Sequence, residues 1–65
     1  MSAIRPATEQ DATAILTSID CLREARNLLR QAGASKAARA VATAMKSAEG
    51  AERHVRHRIH RTQAA

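Results

Sequence analysis

The chain has 65 residues, 45% of them hydrophobic and none aromatic, and a formal net charge of +5 from 11 Lys and Arg against 6 Asp and Glu. This length holds no more than one domain, and a single cysteine excludes an internal disulfide framework. No uninterrupted apolar run of about 18 residues is present, which excludes a membrane-spanning helix.

Alanine is the commonest residue, with 16 copies, whereas Leu and Ile contribute only four each. Fully burying a Leu or Ile is worth about 1.5–3 kcal/mol. Ordering costs roughly 1.5 kcal/mol per residue, so a chain this small and this poor in large apolar side chains comes out near zero alone. The expectation is a homo-oligomer, most simply a homodimer of helical hairpins forming a four-helix bundle. The lone Cys21 suits a reducing compartment and is expected to act as a small apolar side chain on a packed face. No hydrophobic leader is visible, so the expected location is cytoplasmic.

In chain order, residues 1–7 read as a loose arm, since Pro6 disfavours helix at Arg5. Helix 1 is predicted over 8–32. Thr8 and Asp11 have capping-box spacing, and Glu9 and Asp11 suit the positive end of the helix dipole. Its apolar residues Ile15, Leu16, Ile19, Leu22, Leu28 and Leu29 recur at i, i+3, i+4 and i+7. Ile15, Leu22 and Leu29 form one heptad row, and Ala14, Cys21 and Leu28 form a second beside it. Two rows make a stripe wider than one partner helix covers.

Residues 33–35, Gly-Ala-Ser, are the predicted turn: Gly33 takes a left-handed conformation without a Cβ clash, and Ser35 is expected to cap the next helix. Helix 2 is predicted over 36–61, with Val41, Met45, Val55 and Ile59 on its packed face and an Ala37, Ala44, Ala51 row placed against helix 1. Residues 62–65 are expected to fray. The fold class is therefore all-α, a two-helix antiparallel hairpin.

Residues 33–65 hold seven of the basic residues and only Glu49 and Glu52 as acids, together with all three histidines. His54, His57 and His60 recur every three residues, but no Cys or acid completes a tetrahedral metal set, so neither metal nor cofactor is expected. No serine belongs to a recognisable Ser–His–acid pattern, and the two glycines form no phosphate loop, so nothing points to an enzyme. The coherent candidate site is a basic, partner-binding stripe on helix 2: Arg39, Lys46, Arg53, Arg56, His57 and Arg61. Such a stripe fits three roles: a solubilising face, a docking surface for an acidic protein, or a track for nucleic-acid phosphates. The absence of aromatic residues argues against base stacking on single strands.

The stretch from Leu22 to Arg58 adds a resemblance. Ala25-Arg26-Asn27-Leu28-Leu29, the Ala32-Gly33-Ala34 joint and Lys46-Ser47-Ala48-Glu49-Gly50-Ala51-Glu52-Arg53-His54 resemble small early proteins of Mu-like temperate phages, in particular the phage-encoded anti-activators of quorum sensing. The resemblance implies a helical-hairpin homodimer in the cytoplasm of an infected or lysogenic bacterium. It implies a host-takeover role: binding the DNA-binding region of a LuxR-type transcription activator and keeping it from DNA. It also implies the type IV pilus assembly ATPase as a further target. The alternative from charge alone is a small DNA-binding regulator that uses the outer face of helix 2.

Overall fold

The computed structural model describes the backbone of residues 7–64 and the side chains of residues 7–61. Two helices, α1 (Glu9–Gln31) and α2 (Ser35–Ala64), pack on each other as a hairpin, and no strand occurs among the described residues. Apart from Ala7, the arm expected at 1–7 lies outside them. Helix α2 starts one residue earlier than expected and its backbone stays helical to Ala64, so the predicted tail continues the helix, with Ala65 outside the described residues.

α1 starts where its cap is written. The Thr8 side chain accepts from the Asp11 N–H at 3.2 Å, and the Thr8 N–H donates to Asp11 Oδ2 at 2.9 Å. This reciprocal pair satisfies two backbone donors that the first turn cannot satisfy itself. The helix ends in a Schellman motif: the Ala34 N–H donates to Leu29 O at 2.8 Å and the Gly33 N–H to Arg30 O at 3.0 Å, with Gly33 at φ +78°. The chain then enters α2 at once. Ala34 O accepts from the Ala38 N–H at 2.9 Å, so Ala34 holds the capping position and Ser35 is already the first helical residue. Ser35 therefore does not cap α2, because the Schellman turn leaves no residue between its last bond and the new helix.

The seam between the helices comprises Ala12, Ile15, Ile19, Leu22 and Leu29 on α1, Ala34 at the turn, and Ala38, Val41, Met45, Ala48, Val55 and Ile59 on α2, all buried or half-buried. Ala38 is its most enclosed member, at 3% exposure. Ala37, Ala44 and Ala51, expected between the helices, are exposed. The seam centres on the rows through Val41 and Met45 because Val, Met and Ile bury more apolar area than an alanine row. Leu16 and Leu28, expected in the core or at a dimer contact, are 44% and 56% exposed, and Cys21, expected on a packed face, is exposed as well. A single neighbouring helix leaves part of the wide α1 stripe uncovered.

A Cβ built on Gly33 meets no atom within 4 Å, so its substitution is opposed by backbone conformation alone. Gly33→Val is expected to lower stability by about 1–2 kcal/mol, the left-handed penalty for an L side chain. Chemical denaturation at fixed protein concentration measures it, and an unchanged midpoint contradicts the assignment.

Candidate functional site

Each residue advances about 100° around an α-helix. In an antiparallel pair, side chains rotated in the same sense from the two halves of the seam emerge on the same broad face of the hairpin. This rule divides the surface of the hairpin into two unlike faces.

One face carries Ala14, Ser18, Cys21, Ala25, Leu28 and Ala32 from α1, and Ala37, Ala40, Ala44, Ser47 and Ala51 from α2. No charged side chain interrupts it between positions 14 and 51. The Ser18 hydroxyl donates to Ala14 O at 2.9 Å, so it too is occupied within its own helix. The second heptad row of helix 1 and the alanine row of helix 2 thus meet on one neutral surface.

The opposite face carries Leu16, Arg23 and Arg30 from α1 and Arg39, Lys46, Arg53 and Arg56 from α2, all exposed. Arg39, Lys46 and Arg53 are seven residues apart and form one row, with steps of about 10.5 Å along the axis. Arg56 lies about 60° from that row, towards the groove between the helices. His57 lies further round the outside of α2, and Arg61 sits about 140° from Arg56. The structure therefore gathers Arg39, Lys46, Arg53 and Arg56 of the expected stripe, but does not bring Arg61 to the same face. It adds Arg23 and Arg30 of the other helix, whose seven-residue spacing was the available signal.

Two of these cations have acidic partners. Arg23 Nη1 lies 3.0 Å from Asp20 Oδ1, and Arg56 Nε donates to Glu52 Oε2 at 2.7 Å. The Glu52 side chain is only 13% exposed, so Arg56 covers a carboxylate that the seam has partly enclosed. Deleting one partner of an enclosed pair costs more than deleting one of an exposed pair. Arg26, half-buried at the seam, donates from Nε and Nη2 to Asn27 Oδ1 at 3.3 and 3.2 Å. Arg30, Arg39, Lys46 and Arg53 are not held by any carboxylate in this way.

Two shallow recesses interrupt the surface. One, about 260 Å³, is lined by Arg30, Ser35, Ala38, Arg39 and Ala42. The other, about 280 Å³, lies on the outside of α2 and is lined by Gly50, Arg53, His54 and His57. Among the described residues, no group of three His, Cys, Asp or Glu is arranged to hold a metal ion, and no helix is long and apolar enough to cross a membrane. Compared with known proteins, the chain matches no family model, no curated protein and no solved structure.

A Cβ added at Gly50 meets only Arg53 Nη2, at 3.9 Å, an ordinary contact with the end of a flexible side chain. Gly50→Ala is accordingly expected to stabilise the protein by up to about 1 kcal/mol through helix propensity alone. Thermal unfolding at matched concentration checks it, and a lower melting temperature would show that the backbone at Gly50 is needed bare.

Proposed function

We propose that the protein is a non-enzymatic inhibitor that works as a homodimer. Two hairpins join through their neutral faces into a four-helix bundle, and the basic faces turn outward to dock on a host macromolecule. The observation that carries this reading is the uneven surface: six cations, with Asp20 and Glu49 among them, on one face, and on the other an alanine-lined area that is uncharged from position 14 to 51, with Arg58 and Arg61 beyond it.

Exposed apolar surface supports self-association. Leu28, 56% exposed, lies beside Cys21 and the alanine rows, an apolar side chain that a second copy would cover. Pairing through the basic faces instead would set like charges against one another in a low-dielectric seam. Alanine suits the proposed interface because it lets helix backbones approach closely, with Leu28 as the large apolar anchor.

By the sequence resemblance, the partner is the DNA-binding region of a LuxR-type quorum-sensing activator, blocked from DNA, with the type IV pilus assembly ATPase as a further target. The setting is the cytoplasm of an infected or lysogenic host. Occlusion requires affinity and no chemistry, and arginines are suited to anchoring such contacts. A second reading, binding to duplex DNA along the same face, is favoured by the unpaired Arg39, Lys46 and Arg53 row, since phosphate tracking asks only for spaced cations.

Sedimentation is expected to show a dimer, and the melting temperature is expected to rise with protein concentration. Leu28→Arg is expected to weaken self-association at least about tenfold by placing unpaired charge in the interface. A concentration-independent monomer contradicts the bundle. The triple reversal Arg39→Glu, Lys46→Glu, Arg53→Glu is expected to abolish capture of the activator or the ATPase from host lysate while leaving the dimer intact. Capture that survives the reversal excludes the basic face as the docking surface. A mobility shift with duplex DNA at about 150 mM salt, without host protein, would favour the second reading.

A further inference from the structure

Arginines on the basic face fall into two kinds. Towards the open end of the hairpin, Arg23 and Arg56 are paired with a carboxylate one helical turn earlier, Asp20 at i−3 and Glu52 at i−4, and Arg53 has Glu49 at i−4. Near the turn, Arg30 and Arg39 have none. The positions one turn from Arg30 on α1 hold Arg26 and Asn27, and those from Arg39 on α2 hold Ser35, Lys36, Ala42 and Thr43. Yet Arg30 and Arg39 come from different helices to line the same recess. Two cations thus meet at one recess with no carboxylate within one helical turn of either.

The recess is also shaped to admit a ligand. Its floor is Ala38, almost fully buried, with half-buried Ala42 beside it, so small side chains keep open a space that longer ones would fill. Ser35 also lines the recess, and its hydroxyl is a side-chain donor. Its volume of about 260 Å³ accommodates a phosphate group together with part of the molecule that carries it. Guanidinium groups match phosphate oxygens in planar, two-pronged hydrogen bonding.

We propose that Arg30, Arg39 and Ser35 form a phosphate-binding recess on the basic face. The site rests on this face being the one that binds, and its phosphate chemistry deepens the duplex-DNA reading of that face. Its ligand chemistry is a phosphate group, either free or in a nucleic-acid backbone.

The test follows the arginine side-chain N–H signals of the intact, isotope-labelled protein by NMR. One titration uses inorganic phosphate, and another a 20-base-pair DNA duplex at about 150 mM salt. Phosphate is expected to move the Arg30 and Arg39 signals saturably, ahead of those of Arg23 and Arg53. Arg30→Gln and Arg39→Gln are each expected to weaken phosphate binding about tenfold, as loss of a charge-assisted hydrogen bond predicts. Arg23→Gln removes the same charge elsewhere and is expected to leave binding unchanged. If the duplex moves the same two signals, the source is a phosphodiester backbone; if only inorganic phosphate saturates them, it is a free phosphate. Signals that do not saturate, or that move equally at all arginines, overturn the site. Host-protein capture by Lys46→Glu, Arg53→Glu, which spares the recess, separates the two ideas. Lost capture with phosphate binding intact supports both, lost capture with no phosphate binding sinks the recess alone, and retained capture with phosphate binding intact sinks the docking reading alone.

Discussion

The left-handed turn at Gly33 is the constraint on which the rest of the molecule depends. With φ at +78°, the chain closes two bonds onto the Leu29 and Arg30 carbonyls and delivers Ala34 straight into the second helix. A connection this short forces the helices to run antiparallel and fixes their relative rotation. Rotation decides which side chains meet. It brings Ala38 and Met45 into the seam, sends Ala37 and Ala44 to the surface, and sets Arg39 on the same face as Arg30.

The seam is thin. Its most enclosed members are Ala38, Ile19 and Met45, and no side chain is below 2% exposure among the described residues. Two helices cannot surround a side chain, so even the best-placed aliphatic keeps some contact with water. The rows Ala14, Cys21, Leu28 and Ala37, Ala44, Ala51 stay exposed, small and apolar side chains that one hairpin does not cover. An isologous partner would cover them with identical rows, since a two-fold axis lets one surface serve both sides.

Charge follows a matching logic. Acids and bases are paired where the seam encloses one of them, as at Glu52 and Arg56, because an isolated enclosed carboxylate is costly. Where the chain turns, cations gather without acids, at Arg30 and Arg39. A solubilising face requires no such concentration at one recess. The arginines nearest the turn, Arg30 and Arg39, are thus unpaired, whereas Arg23 and Arg56 further along each have an acidic partner.

The number and order of the helices, the Thr8–Asp11 cap and the glycine stop were legible in the sequence, because caps, turns and 3.6-residue periodicity are local and involve residues at most a few positions apart. So was the basic character of helix 2, since Arg39, Lys46 and Arg53 follow from spacing alone. Three features were not legible. The seam ran one row away from the alanine row, because alanine at many positions lets several registers look alike until Val41, Met45 and Ile59 compete for burial. Ser35 resembled a cap until the Schellman bonds from Gly33 and Ala34 took the turn. The pairing of Arg30 with Arg39 crosses between helices, and no sequence interval encodes it. Composition and local chemistry determined that this chain is a basic helical hairpin with more apolar stripe than one helix can cover. Only the tertiary structure decided that Ala14, Cys21 and Leu28 share a face with Ala37, Ala44 and Ala51 while Arg23 and Arg30 share the opposite one with Arg39 and Lys46, because that depends on the rotation of one helix against the other, set by packing rather than by either helix alone.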